Sequence, residues 1–156
     1  MNPAFQEIPF DPLSASDDLW RRYHVFRRAR WLEREDPDLP HAPDDRFADS
    51  VRVMHRNEDE AHYHFVVAHG DQIIASFGGM ACRPGTPNHE TNGHILRSGG
   101  AVLQPWRRRG IGRSWLEHAM AWMPLTGATT LTVRADDPDG HRFMRAICGE
   151  PRQLDR

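Results

Sequence analysis

The sequence predicts a mixed α/β fold with the element order α-α-β-β-β-α-β-α. Three observations lead to this class. Two segments near the start carry apolar residues at helical spacing, the middle holds β-branched runs broken by turns, and a glycine-rich turn separates a strand from a helix. The 156 residues suit one domain with its own core. We therefore expect a single domain over 1–156, with an extended lead-in at 1–13 and a short tail at 150–156.

The first two elements are predicted to be helices. Residues 14–36, SASDDLWRRYHVFRRARWLERED, begin where Ser14 or Ser16 can act as the cap and end before Pro37. Their apolar face is formed by Leu19, Tyr23, Phe26 and Arg30 or Trp31. A proline- and aspartate-rich loop, DPDLPHAPDD, leads to a second helix, RFADSVRVMHR. Asp44 or Asp45 can cap this helix, whose apolar face is formed by Phe47, Val51 and Met54.

Strands fill the middle of the chain. HYHFVVAH and QIIASFGGMAC are joined by Gly70-Asp71, which predicts a hairpin. The turn-rich segment CRPGTPNHETNG follows, and then the strand HILRSGGAVLQ. Gly99 and Gly100 inside this strand indicate a bulge or the close approach of a ligand to the backbone.

The last third of the chain alternates helix and strand. WRRRGIGRSWLEHAMAWM predicts a helix with an apolar face of Ile111, Trp115, Ala119 and Trp122. ATTLTVRA predicts a β-branched strand. PDGHRFMRAICG predicts a short final helix that ends at Gly149, since a glycine at this position commonly stops a helix.

Composition excludes several classes of function. The net charge is -2, which gives no support to a nucleic-acid or membrane partner. All 20 basic residues are arginine, so lysine Schiff-base chemistry and lysine-dependent phosphate loops are excluded. The two cysteines lack metal or redox spacing, and no signal peptide is evident, so we expect a reducing cytoplasm. The histidines near His62 and His64 have no acidic or thiol partner at ligand spacing, so we predict no metal site.

The stretch RRRGIGRSW is the strongest local signal. A glycine-rich turn between a strand and a helix exposes backbone N–H groups at the positive helix end, which together form a site for an anion such as phosphate. A Walker A loop would need a Lys-Ser/Thr pair, and a dinucleotide fingerprint would need a third glycine where Trp115 stands. The pattern that remains is Arg/Gln-x-x-Gly-x-Gly, formed by Arg107, Gly110 and Gly112. A solvated cluster of arginines at a helix start is the alternative.

The segment from Val102 to Gly112, VLQPWRRRGIG, resembles the strand, loop and helix start of the GNAT N-acetyltransferase superfamily, with its proline displaced by one position. The resemblance extends from about Asp17 to Gly149, and its early part rests on element order. It implies a GNAT-like acyl-CoA N-acyltransferase fold and acetyl-CoA as co-substrate. The loop before the second helix also resembles that of some bacterial members, several of which carry two such domains in one chain.

The resemblance also implies roles for individual residues. The N–H and C=O groups of Val102 would bind the pantetheine arm, and the Gly100 N–H would face the thioester carbonyl. Backbone N–H groups from Arg108 to Arg113 would hold the pyrophosphate. The full set of residues implied to bind the cofactor is Val102, Leu103, Gln104, Arg107, Arg108, Arg109, Gly110, Ile111, Gly112, Arg113 and Asp137.

Catalysis departs from the family pattern. The last helix of the family commonly reads Asn-x-x-Ala-x-x-x-Tyr, and its tyrosine protonates the leaving thiolate. Here Asp137 and Gly140 occupy the first two of these positions, and Met144, which cannot donate a proton, replaces the tyrosine. The candidates for a general base are Glu90, His94 and His141, with Gly100 as the oxyanion donor.

These features lead to two main hypotheses and a third. The first is an enzyme that acetylates a primary amine on a small molecule or peptide. The second is a non-catalytic acetyl-CoA-binding or regulatory domain, and the third is an interaction module that has lost CoA. A cationic acceptor would suit an acidic loop that contains Glu35, Asp36, Asp38, Asp44 and Asp45.

The end of the sequence also departs from the family. The resemblance implies two further strands after the last helix, and EPRQLDR is too short to form them. This leaves open a truncated chain, the front domain of a longer protein or a sheet completed by a partner. A homodimer or a second domain of the same kind would fit the last two explanations.

Overall fold

The computed structural model describes residues 5–33, 40–135 and 137–149. One five-stranded sheet holds β1 (Gln6–Pro9), β2 (Glu60–His69), β3 (Gln72–Cys82), β4 (Ile95–Val102) and β5 (Thr130–Val133), in that order. The helices are α1 (Asp17–Leu32), α2 (Asp44–His55), α3 (His89–Asn92), α4 (Ile111–Thr126) and α5 (Pro138–Cys148). The predicted mixed α/β class is confirmed.

Strand β1 was not predicted, and it corrects the extended lead-in at 1–13. It pairs antiparallel with β2, from Gln6 opposite Ala68 to Pro9 opposite Phe65. Pro9 has no N–H to donate, which an edge strand tolerates. Glu7 fixes the strand to α4, because its carboxylate accepts hydrogen bonds from Ser114 and His118. Burial raises the pKa of Glu7, but these two bonds outweigh it and leave the pKa below its usual value.

Helix α1 begins at one of the two predicted caps. The Ser16 hydroxyl accepts a hydrogen bond from the Leu19 N–H at 3.2 Å. The predicted apolar face is wrong in part, because the side that packs on the sheet carries Trp20, Tyr23, His24 and Phe26, whereas Leu19 and Trp31 are only half-buried. The helix ends at Leu32, and the predicted stop at Pro37 lies outside the described residues.

Helix α2 differs from its prediction at both ends. Pro43 takes the cap position without a side-chain bond, so neither Asp44 nor Asp45 caps the helix. Instead, the Asp44 carboxylate accepts hydrogen bonds from Arg27 and Arg28 of α1. Met54 was predicted on the inner face but is 55% exposed, because the helix ends one residue later and only Ala48 and Val51 are buried.

Two apolar layers enclose the sheet. On one face, side chains of α1 and α2 pack with Phe10, Val66, Ile73 and Leu103. On the other face, Ile111 and Trp115 of α4 pack with residues of β2 and β3. The predicted face of α4 is confirmed for Ile111, Trp115 and Ala119, whereas Trp122 is half-buried. The central strands therefore have both faces covered.

Turns and glycines explain the remaining differences. The predicted hairpin turn is present, with Gly70 at φ 57°. The predicted bulge in β4 is wrong, because the β3–β4 register runs unbroken from Met80 opposite Arg97 to Ala75 opposite Val102. The connection after β3 contains the short helix α3, which was not predicted. Helix α4 begins five residues later than expected, since Gln104–Trp106 forms a separate 3-10 turn.

A partly buried histidine, His64, lies between the sheet and α1. The His64 Nε2 is 2.8 Å from the Ser76 hydroxyl, which in turn donates to the Tyr23 hydroxyl at 3.4 Å. Burial, and after it the neighbouring His55, lowers the pKa of His64 from 6.5 to about 4. His64 is therefore neutral at pH 7 and acts as a satisfied polar group of the core.

This burial predicts a pH-dependent stability. Between pH 6.5 and about 4, His64 is protonated in the unfolded chain but neutral in the folded chain. The free energy of unfolding therefore falls as the pH falls through this window. The loss from this group reaches about 3 kcal/mol. Urea unfolding at pH 7 and pH 4.5 measures it. His64→Gln should flatten the dependence, whereas the exposed control His94→Gln should not. Equal slopes in both variants would contradict this account.

Candidate functional site

A gap opens between β4 and β5. The two strands are parallel and pair from Ile95 opposite Thr130 to Ser98 opposite Val133. Strand β4 then continues to Val102, whereas β5 has already ended. The last four residues of β4 therefore have no β5 partner on this side, and their backbone forms one wall of the gap.

Strand alternation determines which groups face the gap. The Leu103 N–H donates to the Ile74 carbonyl of β3 at 2.9 Å, whereas the His94 carbonyl, on the opposite side, accepts from the Thr130 N–H at 2.9 Å. Even-numbered residues of β4 therefore direct their backbone groups toward β5. Beyond the last pair these residues are Gly100 and Val102. Their N–H groups are placed to bond an extended ligand in the gap.

Gly100 has a packing requirement of its own. A Cβ at this position would lie 2.2 Å from the Ser76 carbonyl oxygen and 2.3 Å from Cδ1 of Phe77. A Cβ on the neighbouring Gly99 would meet nothing within 4 Å. Glycine is thus necessary at 100 for close contact with β3, although no bulge is present.

The loop after β4 leads directly to the start of α4. Arg108 has φ 63°, a left-handed conformation that is uncommon for a residue with a side chain, and Gly110 has φ 85°. Within the described part of the chain, no backbone carbonyl accepts from the N–H groups of five successive residues, Arg108, Arg109, Gly110, Ile111 and Gly112. The Arg113 N–H is different, because it donates to the Gly110 carbonyl at 3.0 Å.

This loop is suited to an anion. The free N–H groups lie at the positive end of a 16-residue helix. Three exposed arginines flank them, and among the described residues none of the three makes an ion pair: Arg108, Arg109 and Arg113. The guanidinium of Arg109 lies 5.0 Å from the centre of the Trp106 ring. A phosphate group would gain both backbone donors and long-range charge here.

Arg107 behaves differently from the other arginines of the motif. Its Nε donates to the Val102 carbonyl at 3.2 Å. One terminal nitrogen donates to Asp139 at 2.7 Å and the other to Asp137 at 3.3 Å. Glu33 lies 3.9 Å away. Its guanidinium is therefore occupied by groups of the protein, which separates its role from that of a phosphate ligand.

Helix α5 packs beside the loop. Asp137 caps it by accepting from the Gly140 N–H at 2.7 Å. The Phe143 ring is so close to Gly112 that a Cβ there would lie 2.9 Å from it. Met144 is half-buried and packs against the apolar cluster of β3 and α4. Gly112 is thus needed for the α4–α5 contact, a reason that the motif alone does not reveal.

The structure separates the predicted catalytic residues. Gly100 lies at the gap, but His94 lies six residues away at the other end of β4, which is about 20 Å along a strand. Glu90 lies on α3 near His94, and both line a cavity between α3 and the end of α4. His141 is exposed on α5. The geometry therefore does not bring Glu90 or His94 to the gap.

The remaining predicted cofactor residues also differ in availability. Leu103 is 4% exposed and its N–H is bonded to β3. The Gln104 N–H donates to the Glu33 carboxylate at 2.6 Å. Asp137 is held by its capping bond and by Arg107. These groups of the three residues are therefore already bonded within the protein, whereas Gly100, Val102 and the loop present free N–H donors.

The face of the sheet that is turned toward α1 and α2 offers a second approach to the gap. Gly78 and Gly99 are paired partners, and their neighbours Ser76 and Ala101 face α1. The two glycines therefore expose bare backbone on the α1–α2 side, and the His64 ring borders this strip at 3.7 Å from a Cβ on Gly78. Sequence reasoning missed the strip, because the pairing of Gly78 with Gly99 depends on the register.

Of the predicted acidic loop, the structure describes Asp44 and Asp45. Asp44 lies 3.2 Å from a guanidinium nitrogen of Arg27 and 2.5 Å from one of Arg28, so its charge is already compensated. Burial raises the pKa of Asp44, but the bond from Arg28 and the nearby charges outweigh it and lower the pKa. Asp45 is exposed. The other predicted members, Glu35, Asp36 and Asp38, lie outside the described residues.

Comparison with known proteins concerns the family and the fold of the chain. Residues 18–149 match the model of the acetyltransferase (GNAT) family. Among proteins of curated function, no sequence match was found. The described helices include none that is long and apolar enough to cross a membrane.

Several solved structures share the fold. Aminoglycoside 6'-N-acetyltransferase AAC(6')-Ih from Acinetobacter baumannii has a TM-score of 0.65 at 15% identity, over 97% of this chain and 95% of that one. Glucosamine-6-phosphate N-acetyltransferase from Arabidopsis thaliana has 0.62 at 14%, over 97% and 95%. A tandem GNAT protein from the clavulanic acid biosynthesis pathway has 0.66 at 20%, over 92% of this chain and 43% of that one.

The two neighbouring glycines of β4 provide a matched test of the packing at the gap. Gly100→Ala should destabilise the fold by about 1–3 kcal/mol, because its Cβ would overlap the β3 backbone. Gly99→Ala faces open space and should change stability by less than about 0.5 kcal/mol. Thermal unfolding of both variants measures the difference. Equal effects would contradict the close β3–β4 contact at Gly100.

Proposed function

This chain belongs to the GNAT acetyltransferase family, and on that premise we propose that it moves an acetyl group from acetyl-CoA to a primary amine of a small molecule or peptide. The observation that supports this proposal most strongly is that the unpaired edge of β4 leads directly into the loop with free backbone N–H groups. The edge suits an extended amide-bearing arm, and the loop suits a pyrophosphate, which are the two parts of CoA that adjoin each other.

The residues fit acetyl-CoA in a defined order. The N–H groups of Arg108 to Gly112 hold the pyrophosphate, with charge from Arg108, Arg109 and Arg113. The Val102 N–H bonds the pantetheine arm in the gap. The Gly100 N–H, two residues earlier on the same edge, donates to the thioester carbonyl and stabilises the negative charge that develops on its oxygen when the amine attacks.

Proton transfer in this proposal relies on water. The amine must be neutral to attack. Glu90 and His94 lie away from the gap and His141 is exposed on α5, so in this proposal water carries the proton away. Met144 replaces the usual tyrosine of the family, so the leaving thiolate also takes its proton from water. Since a CoA thiolate is a good leaving group, the transfer requires no strong acid. We place the amine on the α1–α2 side, where the strip of Gly78 and Gly99 lets it approach.

A second candidate function rests on Met144. A domain that binds acetyl-CoA without turnover would keep the loop and the β4 edge and would not need an acid. It would act as a regulatory domain or as the front half of a tandem protein, an arrangement for which a tandem GNAT protein of similar fold is an example. Both functions place the protein where CoA is available, and we propose the cytoplasm as its location.

Binding and turnover distinguish the two functions. Calorimetric titration should show micromolar binding of acetyl-CoA that is lost in Gly110→Val/Gly112→Val, because the first change strains a residue at φ 85° and the second collides with Phe143. A screen of primary amines with thiol detection then follows. Thiol release with any amine supports the enzyme, whereas binding without release supports the regulatory domain. A folded chain that does not bind at millimolar acetyl-CoA would contradict both.

The missing acid can be tested directly. Met144→Tyr restores the side chain that the family uses, and Met144→Phe adds the same ring without the hydroxyl. If the protein is an enzyme with unassisted thiolate protonation, Met144→Tyr should raise kcat above Met144→Phe by about tenfold or more, as general acid catalysis typically contributes. Equal kcat values in the two variants would show that protonation of the thiolate does not limit the rate.

A further inference from the structure

Arg107 connects the two walls of the gap near its end, which are the last residue of β4 and the start of α5. Its Nε donates to the Val102 carbonyl on β4, and its terminal nitrogens donate to Asp137 and Asp139 at the start of α5. The side chain is 19% exposed, so these bonds form in a partly dehydrated place. A planar guanidinium carries its donors on three separate nitrogens and can reach all three acceptors at once, whereas an ammonium group carries its three donors on a single nitrogen and cannot reach acceptors placed this way.

The surroundings of Arg107 make it a poor phosphate ligand. Three carboxylates, those of Glu33, Asp137 and Asp139, lie within 3.9 Å of its terminal nitrogens. Arg30 and Arg142 compensate part of this charge, since Arg30 pairs with Glu33 at 2.7 Å and Arg142 pairs with Asp139. A phosphate that reached Arg107 would also meet these carboxylates, which would repel it. No such repulsion is expected near the arginines that make no ion pair among the described residues, which are Arg108, Arg109 and Arg113.

The partners of Arg107 are themselves bonded to the elements that border the gap. Asp137, which it binds, caps α5 through the Gly140 N–H at 2.7 Å. Glu33 accepts the Gln104 N–H at 2.6 Å and so fixes the turn that precedes Arg107. Val102, which it also binds, is the last residue of β4. The guanidinium therefore sets the separation between the end of β4 and the start of α5.

The Val102 carbonyl is thus already satisfied by the protein. Of the backbone groups that face the gap beyond Ser98, the N–H groups of Gly100 and Val102 and the Gly100 carbonyl remain available to a ligand, whereas the Val102 carbonyl does not. Beside Val102, an arm in the gap would therefore be held through an N–H donor of the protein and an acceptor of the ligand.

We propose that Arg107 is a positioning residue for the pantetheine arm, and that it does not bind the pyrophosphate. It keeps the two walls at the separation that admits the arm, and it leaves the Val102 N–H as the bonding group. This inference rests on the proposed binding of CoA. It departs from the sequence-based expectation that Arg107 is one of the residues that bind the cofactor.

Two ligands separate this role from phosphate binding. CoA carries the arm together with an adenosine diphosphate moiety, whereas ADP carries adenosine and the pyrophosphate without the arm. In calorimetric titrations, Arg107→Gln should weaken CoA binding about tenfold and leave ADP binding within about twofold. Arg107→Lys keeps the charge but cannot make the three bonds, so it should behave like Arg107→Gln. The control Arg109→Gln should weaken both ligands by a similar factor.

The outcomes are distinct. Equal loss of CoA and ADP in Arg107→Gln, or recovery of CoA binding in Arg107→Lys, would overturn the positioning role and favour a phosphate contact. No loss of either ligand would overturn it as well. Asp139→Ala removes one acceptor of Arg107 at the start of α5 and keeps Arg107 itself. It should weaken CoA binding about threefold and leave ADP binding unchanged, which tests the inference if Arg107→Gln fails to fold. A wild-type chain that binds neither ligand would instead contradict the proposed function and this inference with it.

Discussion

The site depends on one mismatch in length between two parallel strands. Strand β5 stops pairing at Val133, while β4 continues from Gly99 to Val102. Backbone N–H and C=O groups are strong hydrogen-bonding groups that need partners, so an unpaired strand edge inside a fold must be satisfied by side chains, water or a ligand. Here Arg107 satisfies the Val102 carbonyl, whereas the N–H groups of Gly100 and Val102 and the Gly100 carbonyl are left facing the gap. The open edge follows from backbone geometry and not from any catalytic side chain.

The other parts of the site keep this gap open and accessible. The loop after β4 turns through two left-handed residues, Arg108 and Gly110, so that its N–H groups point outward before α4 begins. Gly112 allows Phe143 of α5 to pack on the first turn of α4. The cap at Asp137 fixes where α5 starts. The loop with its free N–H groups and the unpaired strand edge thereby form one continuous surface, and the two glycines of the motif serve it for different reasons.

Much of this could be predicted from the sequence, because the signals are local. The Arg-x-x-Gly-x-Gly pattern after a strand, the Ser16 cap and the Gly70 turn all depend on neighbours within a few residues. Features that depend on register or on distant partners could not be predicted. The role of Arg107 needs Glu33 and Asp139, which are far from it in the chain, and the Gly78–Gly99 strip needs the pairing of two strands. Strand β1 has too few residues and too little alternation to give a signal before β2 is in place.

Amide hydrogen exchange at the gap tests the central claim most directly. The claim is that CoA lies along the unpaired β4 edge and ends at the loop. Residue-resolved exchange with and without saturating CoA should show the N–H groups of Gly100, Val102 and Gly112 exchanging quickly in the free protein and becoming protected together when CoA binds. Protection of Gly112 alone would support the pyrophosphate position only and not the position of the arm along β4. Binding of CoA without protection at any of the three would contradict the claim that this gap is the cofactor site.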